Sequence, residues 1–347
     1  MLAVAGLPLG IRCFAVEPSA DPPAAAAAFV IQAAYDDPSA LAELARRCDV
    51  VTIEVEHVPV EALAWLSQRI PVHPGPEVVA VAQDRLAEKR LFTRLGIPTA
   101  PYAEPDRLHE GFPPGTILKR RTGGFDGRGQ VRLGRAAPAE ELAAAVAFLG
   151  SPVLAEGVVS FERELSVVAA RSAQGAVAVY PVVENLHRDG ILRETIVTAP
   201  DGEAWDEHAS AIVTRIMDDL DHVGVLALEL FEVDGELLAN ELAPRVHNSG
   251  HWTIEGAVTS QFEQHLRAVC GWPLGDASSR GPSAMVNLIG VEPDSAAVLA
   301  VPGAHLHLYG KAPRPDRKIG HVTVVGADER ERDARLGAVR EAVGRHP

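Results

Sequence analysis

Two apolar runs carry carboxylates at positions where a sheet would bury its side chains. The first reads Leu226-Ala-Leu-Glu-Leu-Phe-Glu-Val233 and the second Glu236-Leu-Leu-Ala-Asn-Glu-Leu242, with Asp234-Gly235 between them. Asp-Gly between such runs predicts a tight hairpin. Glu229 lies between Leu228 and Leu230, and Glu241 between Asn240 and Leu242. An ionised carboxylate is costly to bury without a counter-charge, so the pair must either meet a cation or sit on a wetted face. The register separates the geometries. A two-residue turn pairs Val233 with Glu236, sets Glu229 against Asn240 and sends Glu241 to the other face. A three-residue turn, with Gly235 left-handed, pairs Val233 with Leu237 and places Glu229 opposite Glu241. The second register is expected, because it alone puts both carboxylates on one face. Magnesium, a hard cation, favours carboxylate oxygen together with substrate phosphate at such a site.

A chain of 347 residues suggests two or three domains. With 47% hydrophobic and 23% charged residues it has the composition of a soluble globular protein. The formal charge of -15 should repel a phosphate backbone, so nucleic acid is not an expected partner, although a local basic pocket could still hold a nucleotide. Cys13, Cys48 and Cys270 form no CxxC and no even framework, which fits a reducing cytoplasm. No apolar run approaches the roughly 20 residues that span a bilayer, and the start lacks a basic n-region, so neither membrane nor targeting signal is expected.

Strands are expected at 11–16 and 50–55 with a helix near 39–47 between them, the spacing of a parallel α/β unit. Helical periodicity covers 76–95, and Gly96 and Pro98 stop it. Beyond lie short strands at 116–119, 131–133, 152–156, 164–170 and 176–183, helices near 138–149, 205–220 and 257–270, and a tail of strands at 284–289, 304–309 and 319–325 with a helix at 328–344. These group into an α/β domain over 1–96, an α+β nucleotide domain over 97–272 and a small β-rich domain over 273–347.

Between the first two strands of the second domain stands Lys119-Arg-Arg-Thr-Gly-Gly-Phe-Asp-Gly-Arg-Gly-Gln130. Its glycines allow backbone N–H groups to approach phosphate oxygens. Gly-Lys-Ser/Thr is missing, and a strand follows instead of a helix, so it is neither a Walker loop nor a dinucleotide loop. It reads as a hairpin lid with cations beside it, or as a plain surface hairpin. After Glu241, the run Leu-Ala-Pro-Arg245-Val-His247-Asn248-Ser-Gly-His251 is the densest polar cluster. Arg245 can fork onto a phosphate, and His247 and Asn248 can orient a small substrate. Pro244 and Gly250 deny His247 and His251 a common helical face for zinc. His305 and His307 read as ordinary strand residues.

The order Lys119, GGFDGRGQ, Glu156-Gly-Val-Val159, Glu164, Glu229, Asn240-Glu241 resembles the ATP-grasp superfamily. Within it, KRRTGGFDGRGQ, NLHRDGIL (185–192), NELAPRVHNSGHWT (240–253) and the tail KAPRPDRKIGH (311–321) are similar to the 5-(carboxyamino)imidazole ribonucleotide synthases, over nearly the whole chain. The resemblance implies a pre-ATP-grasp domain, an ATP-grasp domain and a β-rich C-terminal domain. It implies that ATP meets Arg85 and Lys119, lies under a lid of Gly124, Phe125, Asp126, Gly127, Arg128, Gly129 and Gln130, and has its adenine read at Glu156, Gly157, Val158 and Val159. Glu164 would hold the ribose hydroxyls and His187 would lie near the reaction centre. Glu229 and Glu241 would bind Mg2+, assisted by Asn240. The ribonucleotide would meet Asp126, Arg128, Arg245, His247 and Asn248, and its phosphate Lys311, Arg317 and Lys318, with Asp126, Arg128, Arg245 and His247 closest to the chemistry. Glu54 and Glu56 would line the substrate side. The implied reaction joins bicarbonate to 5-aminoimidazole ribonucleotide at the cost of ATP, through carboxyphosphate, in a cytoplasmic homodimer. The alternatives are a formate-dependent glycinamide ribonucleotide ligase and a non-catalytic ATP-binding protein. One departure stands out: family members begin with a strand and a Gly-Gln-Leu-Gly-Arg-Met turn, and this sequence begins at the methionine of that pattern.

Overall fold

The computed structural model describes residues 1–104, 115–124, 129–134, 138–150, 152–197 and 203–344. The N-terminal part comprises α1 (Leu2–Gly6), β1 (Phe14–Val16), β2 (Phe29–Ile31), α2 (Pro38–Arg47), α3 (Val60–Ser67), α4 (Pro76–Gln83) and α5 (Arg85–Arg94). β1 and β2 run parallel with Phe14 opposite Phe29. The strand expected over 11–16 is thus confined to β1, and its partner is β2, not the 50–55 run. That run makes only an isolated parallel bridge from Val51 to Val72. Its side chains are still core: Val51 and Ile53 pack with Leu41, Leu44, Leu63 and Leu66. α2 begins where Asp37 accepts the N–H groups of Ser39 and Ala40, and its buried Ala40, Leu41 and Leu44 form one stripe.

The single helix expected over 76–95 is two. Asp84 is extended, its carboxylate accepts Leu86 N–H at 3.0 Å, and Arg121 holds the same carboxylate at 2.5 Å. A short acidic side chain competes for backbone N–H groups and so caps a new helix at Asp84 rather than continuing the old one.

A four-stranded antiparallel sheet follows, of β3 (Tyr102–Ala103), β4 (Thr116–Arg120), β5 (Gln130–Leu133) and β6 (Val153–Gly157), in the order β3-β6-β4-β5, with α6 (Ala139–Leu149) packed on it. β4 and β5 pair from Thr116–Leu133 to Lys119–Gln130, so the glycine segment does join two strands as a hairpin.

The large sheet is antiparallel. It contains β7 (Arg163–Arg171), β8 (Val177–Val179), β9 (Val183–Arg188), β10 (Ile191–Val197), β11 (Gly224–Val233), β12 (Glu236–Ala243), β13 (Ser283–Ile289), β14 (Ala304–Leu308) and β15 (Lys318–Val325). The order is β12-β11-β7-β9-β10-β13-β15-β14, with β8 on β7. The strand expected over 176–183 is thus split into β8 and the start of β9, and β10 joins through the Asp189-Gly190 turn. α7 (Glu203–Asp219) covers one face; α8 (Thr253–Gly256) and α9 (Gln261–Val269) cover the other. α9 starts at Ser260, whose hydroxyl accepts Glu263 N–H, later than the expected 257. α10 (Ser295–Leu299) and α11 (Glu329–Val343) complete the C-terminal part.

Both faces of the central strands are buried. Leu165, Val167 and Ala169 of β7 join Leu226, Leu228 and Leu230 of β11 against Phe92, Ile212 and Ile216. Val168, Ala170, Val225 and Ala227 point the other way, against Trp252, Phe262 and Leu266. Period-2 alternation therefore places Glu229 on the face of Val225 and Ala227.

The hairpin corrects the expected turn. Val233 pairs with Glu236 across a two-residue turn, with Asp234 and Gly235 both at positive φ (49° and 77°). Leu230 pairs with Ala239, but Glu229 pairs with Glu241, because a bulge inserts Asn240. The burial pattern shows the consequence. Leu237 and Ala239 face the Phe92 side, and so does Leu242. Without the extra residue Glu241 would share that apolar face. The bulge turns it to the face of Glu229. The expected pairing of the two glutamates is present, for a different reason.

Candidate active site

Glu229 and Glu241 sit side by side at the bulge, and Asn240 Nδ2 reaches Glu229 Oε2 at 3.5 Å. The Arg85 guanidinium, at the start of α5, donates to Glu241 Oε2 at 2.8 Å and to the Gly124 carbonyl at 3.0 Å. It therefore ties the carboxylate pair to the glycine hairpin. Burial alone would raise Glu241, but Arg85 holds it below the usual carboxylate range. Glu229 has no such partner: burial and then the charge of Glu241 push it up to about 7. Two adjacent carboxylates of which one resists ionisation form a donor set that a divalent cation would suit, because its charge removes the repulsion.

Lys119 lies beside them. Its Nζ donates to Glu156 Oε2 at 2.9 Å, and the buried Lys89 stands 3.7 Å from the same oxygen. Burial would raise Glu156, yet Lys119 and then Lys89 keep it low. Glu164 and His187, on neighbouring β7 and β9, meet at 2.5 Å.

The polar run beyond β12 continues the cleft. Arg245 reaches Glu56 Oε1 at 3.2 Å, so the N-terminal TIEVE segment does approach this side. His247 Nε2 stands 3.4 Å from Glu229 Oε1. Burial, then Arg245 and Lys318, drive this imidazole down to about 3, so it is neutral at physiological pH. Asn248 Oδ1 accepts from Lys318 Nζ. Lys318 and Lys311 each lie 5.6 Å from the Tyr309 ring. Burial and then the nearby Arg317 lower Lys311. Crowded cations of this kind suit an anion. Arg245, Asn248, Tyr309, Lys311, Arg317 and Lys318 line a cavity of about 1680 Å³ whose other wall is the N-terminal part of the chain.

Three domain families match in chain order: the ribonucleotide synthetase preATP-grasp domain over residues 1–83, the ATP-grasp domain over 90–262, and the phosphoribosylaminoimidazole carboxylase C-terminal domain over 283–335. A N5-carboxyaminoimidazole ribonucleotide synthase of Pseudomonas aeruginosa is 46% identical over 352 residues, covering 99% of this chain and 96% of the relative. The chain belongs to the N5-carboxyaminoimidazole ribonucleotide synthase family of ATP-grasp ligases. The crystal structure of the Thermus thermophilus synthetase superposes with a TM-score of 0.93 at 47% identity, covering 100% of this chain and 96% of that one. An Aspergillus clavatus synthase in complex with ADP and 5-aminoimidazole ribonucleotide superposes with a TM-score of 0.88 at 29% identity, covering 100% and 96%.

Among the residues expected from sequence, Arg85, Gly124, Asn240, Glu229 and Glu241 converge. Lys119 joins them through Glu156, and His247 through Glu229. Asn248 and Lys318 converge on each other, with Lys311 and Arg317 nearby. Phe125, Asp126, Gly127 and Arg128 lie outside the described residues. Among the described residues no group of three or more His, Cys, Asp or Glu is placed to hold a metal ion. No helix there is long and apolar enough to cross a membrane.

Several supporting residues gave no sequence signal. Glu88 and Lys89 are each 1% exposed. Glu88 Oε1 accepts Leu242 N–H at 2.6 Å and Lys89 Nζ donates to Asn240 O at 3.0 Å, so they grip the backbone on either side of Glu241. Gln261, fully buried on α9, does the same for His247: its Oε1 accepts the His247 N–H at 2.9 Å and its Nε2 donates to the His247 carbonyl at 2.7 Å. A glutamine in an amphipathic helix looks like a surface residue; only its place opposite the Arg245–Asn248 run makes it a clamp. His307, read as an ordinary strand residue, meets Glu255 at 2.7 Å and stacks on His321.

Proposed function

We propose that the chain carboxylates 5-aminoimidazole ribonucleotide, using ATP and bicarbonate, to form the N5-carboxyamino product, ADP and phosphate. The observation that carries this reading is the bulge that brings Glu241 beside Glu229, beneath Arg85 and next to the Arg245–His247–Asn248 run. Bicarbonate oxygen attacks the γ-phosphorus, the bond to ADP breaks, and carboxyphosphate forms. Its collapse gives carbon dioxide and phosphate, and the exocyclic amine adds to the carbon and gives up a proton. The protein's part is positioning and charge neutralisation. Arg85 and Lys119 face the phosphates, segment 124–130 closes over them and excludes water from the unstable acyl phosphate. Segment 156–159 reads the adenine, with Glu164 at the ribose and His187 beside it. Mg2+, when bound at Glu229 and Glu241 with Asn240 alongside, would neutralise charge on the transferring phosphoryl group. Arg245, His247 and Asn248 orient the ribonucleotide, Lys311, Arg317 and Lys318 take its phosphate, and Asp126 and Arg128 approach the amine from the lid. A cytoplasmic homodimer belongs to the same reading; sedimentation measures the assembly.

The test is ADP release measured with each co-substrate omitted. Release that requires both bicarbonate and the aminoimidazole nucleotide is expected. Release that depends instead on formate and glycinamide ribonucleotide would move the chain to the alternative ligase.

A further inference from the structure

A line of buried polar side chains crosses the large sheet and ends on His247. Thr195 Oγ1 on β10 lies 3.0 Å from Asn185 Oδ1 on β9. Asn185 Nδ2 lies 2.8 Å from Ser166 Oγ on β7, and Ser166 Oγ lies 2.8 Å from Ser249 Oγ. Ser249 Oγ lies 2.8 Å from His247 Nδ1. Thr195, Ser166 and Ser249 are 0% exposed and Asn185 5%. Four polar side chains beside an apolar core are costly unless each is satisfied, and here each partner is the next member of the line.

Hydroxyls rotate and amides flip, so such a line has two self-consistent polarities. In one, every donor points toward His247 and its Nδ1 accepts. In the other, Nδ1 carries the hydrogen and every donor points away. One group in the line cannot rotate. The backbone N–H of Ser249 points at His247 Nδ1 from 3.3 Å. At 3.3 Å this contact is weak, but a hydrogen on Nδ1 would face it, so it selects the accepting polarity, and the Ser249 hydroxyl, at 2.8 Å, supplies the stronger hold on Nδ1. Gln261 fixes the ring's mounting by holding both backbone groups of His247. The remaining nitrogen, Nε2, then carries the hydrogen and faces Glu229 Oε1 at 3.4 Å.

We infer that Thr195, Asn185, Ser166 and Ser249 are positioning residues that lock His247 as the Nε2–H tautomer, which makes this side chain a hydrogen-bond donor to Glu229 and the reacting anion and not a proton acceptor. The assignment of a reacting anion rests on the proposed carboxylation; the tautomer does not. It explains Asn185, the one buried polar side chain of the NLHRDGIL segment. Among the tests of such a role, a spectroscopic one is direct.

Nitrogen-15 NMR of the imidazoles in the full-length protein, with His247→Gln for assignment, should show His247 Nδ1 unprotonated and Nε2 protonated throughout pH 6–8. Ser249→Ala removes the last hydroxyl, and Ser166→Ala cuts the line one step earlier. Both should bring in the Nδ1–H form and lower kcat by about tenfold, the scale of one lost hydrogen bond, with KM for ATP unchanged. A protonated Nδ1 in the unaltered protein overturns the inference. So do folded variants with an unchanged tautomer. If the tautomer behaves as stated but no aminoimidazole-dependent ADP release occurs, the proposed reaction fails and the positioning line stands.

Discussion

Replacing Glu229 by glutamine should make the metal-free protein more stable while abolishing turnover. Glu229 is pushed from an ordinary 4.5 up to about 7, by burial first and Glu241 second. Its side chain is 27% exposed, so screening by solvent is partial. The sign follows from linkage. Below pH 4.5 the group is protonated in folded and unfolded chains and costs nothing. Between 4.5 and 7 the folded chain retains a proton that the unfolded chain has lost, so the penalty grows with pH and levels off above 7. At about 1.4 kcal/mol for each tenfold, the full penalty at pH 8 is about 3 kcal/mol, and at pH 5 it is under about 1 kcal/mol. Glutamine keeps the size and the hydrogen-bonding oxygen but carries no charge. Glu229→Gln should therefore raise Tm by roughly 3–5 °C at pH 8 in the presence of chelator, and by far less at pH 5. Saturating Mg2+ and ADP should stabilise the unaltered protein and leave the variant where it was. Calorimetry at the two pH values reads all of this. A Tm that does not rise at pH 8, or a rise of equal size at pH 5, would refute the claim that burial and the neighbouring carboxylate together disfavour the ionised Glu229 in the folded state.

Two further substitutions probe the supports. His265 is fully buried; its Nδ1 accepts Val225 N–H at 3.0 Å and its Nε2 meets Thr52 Oγ1 at 2.6 Å. Burial pushes it down to about 3, so an unfolded chain takes a proton near pH 6.5 that the folded chain refuses. Stability should be full above 6.5 and fall by about 2 kcal/mol between pH 7 and 5; His265→Gln should remove that part of the acid slope, and an identical slope in urea titrations would count against it. Gly250→Ala would place a Cβ 2.6 Å from Gln261 Oε1, whose clamp on His247 has nowhere to retreat. We expect a loss of about 1–3 kcal/mol and a higher KM for the ribonucleotide with KM for ATP unchanged; unaltered kinetics would show that the clamp does not matter.

Local signals carried the hairpins. Asp234-Gly235 and the glycine segment each state their turn chemistry in two or three residues, and both hairpins are present. The three-residue turn, inferred because it puts both carboxylates on one face, does not form, because that facing comes from a bulge further along the strand and not from the turn. Asp-Gly suits a two-residue turn with both residues at positive φ, and that is what forms. The register of Glu241 is set six residues away, by the extra Asn240. The 50–55 run failed for a related reason. Its apolar content shows that it is buried, and it is, but burial does not supply a hydrogen-bonded neighbour, and Val51 finds only one bridge.

The bulge itself shows why sequence period could not reveal the site's foundation. β12 is the outer strand of its sheet, so the backbone around Asn240 has no further strand to bind. Its partners come from elsewhere: Pro98 O takes Ala239 N–H, Thr99 Oγ1 donates to Ala239 O, Lys89 Nζ donates to Asn240 O, and Glu88 Oε1 takes Leu242 N–H. An irregular edge cannot be matched by a regular strand, whose donors and acceptors come at fixed spacing. Side chains of different length can match it. In sequence, Glu88-Lys89-Arg90 reads as the solvated face of a helix, the ordinary place for adjacent charges. Asp84 restarts the helix there, the first two charges turn inward, and they hold the one kink that sets Glu241 beside Glu229. The site's carboxylates could be found by asking which charges interrupt an apolar run; the charges that position them look ordinary until the sheet edge they serve is known.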